Sequence, residues 1–554
     1  MNNTVAFKVA SVLKSCGMEK FFMLTGGDQP LWIALHEHGI QMVVGHSEAS
    51  AVYMADGYAR ATGRPAVTYG QAGPGAANVA AALADAFWAQ SPVLAITGAT
   101  ASGMRHANEY QALDQDIMFL PVTRWSGRCE NPEQAAQLVR HALQMTTAGE
   151  PGPTHIDIPK DFFARETSEF VPEIPLPEIR PLHAVDETQA HAILDQLDAA
   201  KKPVIFVGEG VNFAGAYSEL AEFSSRMGIP MVASMGGKPA IMASHPNFMG
   251  VVGRYSSCVA NAILAEADTV LVLGSRLGGL ATNGYTIPSR RARILQVDHS
   301  PSALANPYFP DTCLLADLRA ALKVFLQAAP RNTTVSPWLE TCHARRATWL
   351  SNVRSATESA SEADGISPMT VMAALEPYSQ DITLVADTGY MAAWTGVLYP
   401  IARPNSFFRA TGSLGWTLPA SLGVQMARQE KVVCITGDGG AGYHIGDIET
   451  AVRYRLPVVI MILNNNCLAF EYHEQKYRWK GQVIAEANNF TAVDYAAVAR
   501  ALGAHGERVM DGTGMRDALK NALLREGPTI IEVVTDPEAY PPVTNFEGVM
   551  TRSI

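Results

Sequence analysis

The chain has 554 residues, 48% of them apolar and 17% charged, with a formal net charge of −11. That length exceeds what one core organises and asks for about three domains, while the acidic balance argues against nucleic acid or an anionic membrane surface as the main partner. Seven scattered cysteines form no C-x-x-C pair and no metal spacing, and they read as the reduced, mostly buried thiols of a cytoplasmic protein.

At the N-terminus Val5, Val9 and Leu13 recur at helical spacing among Lys8, Lys14, Glu19 and Lys20, so a folded first helix is expected rather than a signal peptide. No stretch reaches the roughly 18 apolar residues of a membrane span, so no membrane partner is expected. Strand-like runs at 22–24, 42–44, 66–69, 92–97 and 155–158 alternate with helical stretches; that alternation predicts a parallel sheet covered on both faces. Residues 163–182 carry Pro172, Pro175, Pro177 and Pro181 among charges and read as an extended linker. A second block has strands at 204–207, 231–234, 269–273 and 294–298, and a polar stretch near 351–365 separates it from a third, with strands at 383–386, 432–436, 458–463 and 529–534. The expected class is α/β: three doubly wound parallel-sheet domains at 1–165, 185–330 and 366–536, with a tail at 537–554.

The third block holds the most informative stretch, Gly437-Asp438-Gly439-Gly440 through Asn464-Asn465-Asn466. Residues 432–435 read as a buried strand, 437–442 as a tight turn, and Ile445, Ile448 and Val452 as one face of a helix that Pro457 ends. A second strand at 458–463 completes a right-handed parallel unit, which brings Asp438 and Asn465 to the carboxyl ends of strands. The loop also satisfies G-x-G-x-x-G. A dinucleotide site, however, wants an acid after the second strand, and this chain has asparagines there. Asp438 inside a phosphate-cradling loop would repel a diphosphate unless a cation stood between them. The Asp438 carboxylate, the Asn465 amide oxygen and the Cys467 carbonyl are hard ligands that diphosphate oxygens and a water would complete around Mg2+. The alternative is a glycine-rich turn with a capping Asp and solvated asparagines.

GDG followed by the second Asn of an NN pair, 27 residues after its Asp, resembles the thiamin-diphosphate motif of the decarboxylases and carboligases that use this cofactor. Ala55-Asp56-Gly57-Tyr58-Ala59-Arg60 is similar to the family's text downstream of its catalytic glutamate, which places that role on Glu48; read alone, Glu48 is a helix-start acid. The resemblance covers nearly the whole chain. It implies pyrimidine-binding, central and diphosphate-binding domains in that order, with active sites between subunits of a homodimer or homotetramer.

Further residues follow from likeness to the acetohydroxyacid (acetolactate) synthases. Gly70-Gln71-Ala72-Gly73-Pro74-Gly75 with Asn78 resembles their cofactor loop, Gln71-Ala72 replacing Thr-Ser, so Gln71, Gly73 and Asn78 are implied near cofactor or substrate. Tyr110-Gln111 stands for their Phe-Gln; Gln111 is either a donor to a developing oxyanion or a surface helix-start amide. Leu414, in Gly412-Ser413-Leu414-Gly415-Trp416, matches the wedge that bends the cofactor, or is a core leucine. Asp387, Gly389 and Tyr390 are expected to line the diphosphate pocket through backbone N–H groups. Arg276, after Gly274-Ser275, matches an arginine that neighbours FAD and receives an acceptor carboxylate. Leu277-Gly278-Gly279-Leu280 replaces the acids and arginine that follow it in the synthases, so FAD is a further cofactor that the resemblance raises and this departure argues against. Asp298 is where a nucleotide ribose contact would lie.

Glu471 is the second departure. Six residues after Asn465, it matches a substrate-facing acid of pyruvate decarboxylases and reads either as a proton relay or as a solvated helix acid near Lys476. Asp28 lies one position beyond an acid of those enzymes. His46, His106, His444 and His473 form no ligand set and are expected to be structural or exposed. The implied activity is decarboxylation of a small 2-oxo acid such as pyruvate with transfer of the acyl unit to a carbonyl acceptor; the alternatives are aldehyde release and an inactive scaffold. The tail is expected to cover the mouth of the site.

Overall fold

The computed structural model describes residues 3–170, 172, 174–176, 184–329, 336–479, 481–543, 545–546 and 549–550. Three six-stranded parallel sheets follow one another. The first contains β1 (Lys20–Met23), β2 (Gln41–Val44), β3 (Ala66–Gly70), β4 (Val93–Ala99), β5 (Trp125–Arg128) and β6 (Thr154–Pro159), in the order β2-β1-β3-β4-β6-β5. The second contains β7 (Pro203–Val207), β8 (Met231–Ala233), β9 (Phe248–Val251), β10 (Thr269–Leu273), β11 (Arg293–Asp298) and β12 (Thr312–Leu315), in the order β12-β11-β10-β7-β8-β9. The third contains β13 (Ile382–Ala386), β14 (Phe407–Arg409), β15 (Lys431–Gly437), β16 (Val459–Asn464), β17 (His505–Val509) and β18 (Thr529–Val534), in the order β14-β13-β15-β16-β18-β17. Central strands such as β4 and β16 are buried along their whole length, because helices cover both faces of a parallel sheet and favour unbroken apolar runs.

The first and third sheets share one core through the helices Glu48–Thr62 and Thr417–Ala427. Their backbones touch: a Cβ on Gly57 would stand 2.2 Å from the Ala420 carbonyl oxygen, and one on Gly423 would stand 1.9 Å from that of Met54. The pairing of 54 with 423 and of 57 with 420 makes the two helices antiparallel. Beside them the Trp416 indole donates to Asp56 at 2.8 Å, and Arg60 holds Asp85 at 2.9 Å and the Arg409 carbonyl at 2.8 Å. The central domain is tied to the third by Lys238, a buried ammonium donating to the carbonyls of Thr395, Gly396 and Tyr399 at the end of helix Tyr390–Leu398, where a cation complements the helix dipole.

Three expectations are corrected. Within the expected tight turn residues 438–441 form one turn of helix, Asp438–Ala441, and the helix after it starts at Asp447, past Ile445. Most of the polar stretch near 351–365 belongs to helix Pro337–Glu358, which buries only Trp338, Leu339 and Cys342; so narrow an apolar stripe leaves a weak periodic signal. The strands β5, β9, β12, β14 and β17, absent from the sequence reading, all lie at sheet edges. Pro177 and Pro181 of the expected linker lie outside the described residues, as do parts of the tail, which includes a short hairpin, Asn545–Phe546 with Val549–Met550. All seven cysteines are free thiols.

Candidate active site

Glu48 opens its helix behind a Ser47 cap that accepts the Ser50 N–H at 3.0 Å. Its carboxylate accepts from Asn78 Nδ2 at 3.1 Å, and a Cβ on Gly75 would come within 3.0 Å of Glu48 Oε1. Two helix starts, Glu48–Thr62 and Pro74–Trp88, therefore meet at this acid, and Gly75 is small because the carboxylate lies on it. Gln71 packs on Gly26.

Gly73 sits at φ 72° with the Gln111 backbone against it; a Cβ there would be 2.7 Å from the Gln111 carbonyl oxygen. Gln111 itself is left-handed, φ 64°, in a turn, and the helix begins only at Gln115. The helix-start reading of Gln111 is therefore corrected. A residue that the sequence reading passed over fastens this loop: buried Gln115 accepts the Gly73 N–H at 2.8 Å and donates to Asp157 at 2.7 Å, Gly98 O at 3.0 Å and Thr97 at 3.2 Å. Burial, only partly offset by Arg128, pushes Asp157 up to about 7. Its neighbour His155 stacks on Phe119 at 3.6 Å, and burial drives it down to about 3. The available signal was the polar run of Thr97, His155 and Asp157 inside otherwise apolar strands.

In the third domain the Cys467 N–H is shared by Asp438 Oδ2 at 3.2 Å and Asn465 Oδ1 at 3.1 Å. Two hard oxygens from different strand ends thus converge on one point. Asp438 is 4% exposed with backbone donors only, and burial pushes its carboxyl up to about 6. A buried acid with an amide oxygen beside it and no cation at hand fits a divalent metal. Among the described residues no group of three or more His, Cys, Asp or Glu gathers to hold a metal, so protein oxygens other than carboxylates, together with the ligand's own, would have to complete this one.

Leu414 is pinned on both sides. The Ser413 N–H donates to Asp85 at 2.9 Å and the Gly415 N–H to Asp387 at 3.3 Å, while Gly412 adds a second donor to Asp85 at 3.0 Å. Asp387 is buried and pushed up to about 6 by that burial, against hydrogen bonds from Thr436, Thr388 and Gly415. A Cβ on Gly440 would strike Asp387 Oδ2 at 2.3 Å, so Asp387 clamps the Leu414 loop to the Asp438 turn.

Three family models match in the order of the sheets: thiamine pyrophosphate enzyme N-terminal TPP binding domain over residues 3–118, central domain over 190–325, and C-terminal TPP binding domain over 387–533. The chain belongs to the thiamine pyrophosphate enzymes. It is 28% identical to the acetolactate synthase isozyme 3 large subunit of Escherichia coli, over 92% of this chain and 90% of that one. It is 26% identical to the acetolactate synthase large subunit of Lactococcus lactis (95% and 91%) and 28% identical to an acetolactate synthase of Arthrospira platensis (98% and 96%).

Other residues singled out from the sequence have varied surroundings in this thiamine pyrophosphate enzyme. The Tyr390 backbone N–H opens helix Tyr390–Leu398, while its side chain is buried among Phe470, His473 and Tyr540, with its hydroxyl 3.1 Å from His473 Nδ1. Gly389, φ 64°, has open space at its Cα. Glu471 is exposed in the first turn of helix Ala469–Arg478; burial, then Glu474, raises its carboxyl. Lys476, its expected neighbour, is paired with Glu538 of the tail instead. Asp28 is buried and accepts from the Tyr69 hydroxyl. His46 meets Glu449 at 2.8 Å and His444 meets Ser50 at 3.0 Å. Arg276 lies 3.6 Å from Glu150 and faces the Trp88 ring at 5.8 Å, in a cleft of about 380 Å3 at the end of the central sheet.

Proposed function

We propose that the chain is a Mg2+- and thiamin-diphosphate-dependent carboligase that decarboxylates a small 2-oxo acid of the pyruvate type and passes the acyl unit to a carbonyl acceptor. The observation that carries the reading is the meeting of Asp438 and Asn465 oxygens at the Cys467 N–H, in a chain similar to acetolactate synthases along nearly its full length. Asp438, Asn465 and the Cys467 carbonyl would hold the metal, with Gly437, Gly439, Gly440, Gly389 and Gly412 presenting backbone to the diphosphate. Bound thiamin diphosphate supplies a carbon nucleophile and takes up the electrons that the departing CO2 leaves behind.

Glu48 is the acid that exchanges a proton with the pyrimidine ring, and Asn78 fixes the rotamer that presents it. Leu414, its backbone anchored by Asp85 and Asp387, is the wedge beneath the cofactor. Gln111 donates from Nε2 to negative charge growing on the substrate oxygen. Gln71 and Arg276 orient the acceptor, Arg276 through its carboxylate, and Glu471 carries a proton at the mouth.

Two copies share each site in this reading. Glu48 is held at Asn78 and the Leu414 loop at Asp85 of the same helix; seven residues at about 1.5 Å each separate them by roughly 10 Å. The antiparallel helix pair likewise places Glu48 and Leu414 at opposite ends. Tyr110, Leu113, Ile117 and Leu120 beside Gln111, and Tyr443 and Phe490 beside the Asp438 turn, are exposed apolar side chains suited to a second copy. The assembly is a homodimer or homotetramer in the cytoplasm; among the described residues no helix is long and apolar enough to cross a membrane. Product analysis by mass spectrometry after incubation with pyruvate and a panel of aldehydes and 2-oxo acids tests the reading. Acetolactate or another acyloin is expected; acetaldehyde alone rejects carboligation.

A further inference from the structure

The central sheet runs β9-β8-β7-β10-β11-β12, so chain order reverses between β7 and β10, and such a switch point opens the crevice in which α/β sheets hold dinucleotides. Glycines wall it. A Cβ on Gly208 would stand 2.1 Å from the Gly274 carbonyl oxygen, and one on Gly237 2.1 Å from that of Val207. Backbone packs on backbone here, which draws the turns after β7, β8 and β10 together at the switch point.

The turn after β7, however, reads Gly208-Glu209-Gly210, and Glu209 lies on the cradle. Its Cδ is 2.4 Å and its Oε1 2.5 Å from where a Cβ on Gly236 would be. Glu209 lines the cleft with Glu150 and Asp298, and among the described residues its carboxylate has no ion pair within 4.0 Å. Burial of Glu209 prevails, and Arg409, Arg60 and Arg276 offset it only in part. Arg276 is drawn to Glu150 at 3.6 Å and to the Trp88 face. Arg409 spends one nitrogen on the Ala410 carbonyl at 2.7 Å, and its Nε has no partner. Glu150, Glu209 and Asp298 set against Arg276, Arg409 and the Arg124 that holds Glu150 at 3.1 Å leave no surplus positive charge to receive the two negative charges of a pyrophosphate, and the Glu209 side chain fills the space over Gly236 whether or not it is ionised. FAD, which likeness to the synthases raises, therefore does not fit.

We propose that Glu209 closes this crevice to dinucleotides and that the enzyme turns over without flavin. The inference is independent of the thiamin reading, because the residues that line the crevice include none of those assigned to thiamin diphosphate or Mg2+. Full-length protein is titrated with FAD and followed by quenching of flavin fluorescence, with the absorbance of freshly purified protein recorded. The wild type is expected to purify colourless and to show no saturable FAD binding up to about millimolar concentration. Glu209→Gly, which clears both bulk and charge, is expected to tighten FAD binding at least about ten-fold; Glu209→Gln, which keeps the bulk, is expected to gain less. Flavin retained by the wild type, saturable binding to it, or a glycine variant that binds no better overturns the proposal. A melting-temperature rise with thiamin diphosphate and Mg2+ is measured on the same samples; its absence counts against the thiamin reading and leaves the flavin result standing.

Discussion

Asp85 accepts the Thr411 N–H with both carboxylate oxygens, at 3.0 and 3.1 Å, across 326 residues of chain. Arg60 closes the other side at 2.9 Å. One buried acid on a first-domain helix thereby fixes the backbone that leads to Leu414 in the third domain.

Replacing Asp85 with Asn turns one acceptor into a donor that faces backbone N–H groups. A loss of roughly 3–5 kcal/mol is expected, because Arg60 is left partly uncompensated. Burial alone would raise the Asp85 carboxyl, but Arg60 and the Thr411 and Ser413 donors outweigh it and hold the group below the usual carboxylate range. Its stabilisation is thus complete above the unfolded value of about 4 and is lost as pH falls through the lower folded value. Denaturant melts between pH 2 and 7 should show a shallower acid decline in D85N; an unchanged acid limb defeats the assignment.

Asp157 titrates with the opposite sign. Burial raises it to about 7 against Arg128, Thr97 and Gln115, with Asp116 pushing the same way as burial. A raised carboxyl stabilises fully below its unfolded value of about 4, and that contribution disappears as pH rises through about 7. The melting temperature of Asp157→Asn should therefore depend less on pH between 5 and 8 than that of the wild type. Parallel curves would show that Asp157 is ionised throughout.

Glu48→Gln keeps the shape and the contact with Asn78 but cannot exchange the proton. Turnover should fall about 10²- to 10⁴-fold with the melting temperature unchanged. Asn78→Ala should cost less, because it frees the carboxylate without removing it. Equal activity of E48Q and wild type is the result the proposed role does not survive.

Asp438→Ala should abolish the rise in melting temperature on adding thiamin diphosphate with Mg2+, since the buried carboxylate is the one charged protein ligand. Cys467→Ser should keep it, because the ligand there is the backbone carbonyl and the thiol, pushed up to about 11 by burial, stays protonated. Loss of the shift in the serine variant would place the sulfur, not the carbonyl, at the metal.

The three parallel sheets were legible because strands such as Thr269–Leu273 and Val459–Asn464 are buried along their whole length and spell nearly continuous apolar runs. Edge strands are covered on fewer sides: Trp125–Arg128 is only half-buried throughout, so its composition looks like a loop. Of the candidate site, Asp438 and Asn465 could be read because both ends of one βαβ unit carry the signal. The Gln115 clamp on Gly73 could not, since a glutamine that satisfies distant backbone leaves no local pattern. The orientation of Tyr390 was equally hidden: its partners Phe470, His473 and Tyr540 come from elements far along the chain.

Gly57 and Gly423 bring two helices to backbone contact, with Met54 and Ala420 oxygens where side chains would otherwise stand. Such a seam leaves no clearance for one lobe to swing against the other, so the hinge closure common among two-lobed enzymes is denied to this pair. On the proposed function, admission of substrate and escape of product would then fall to short surface segments, and turnover would be tuned there rather than by the scaffold.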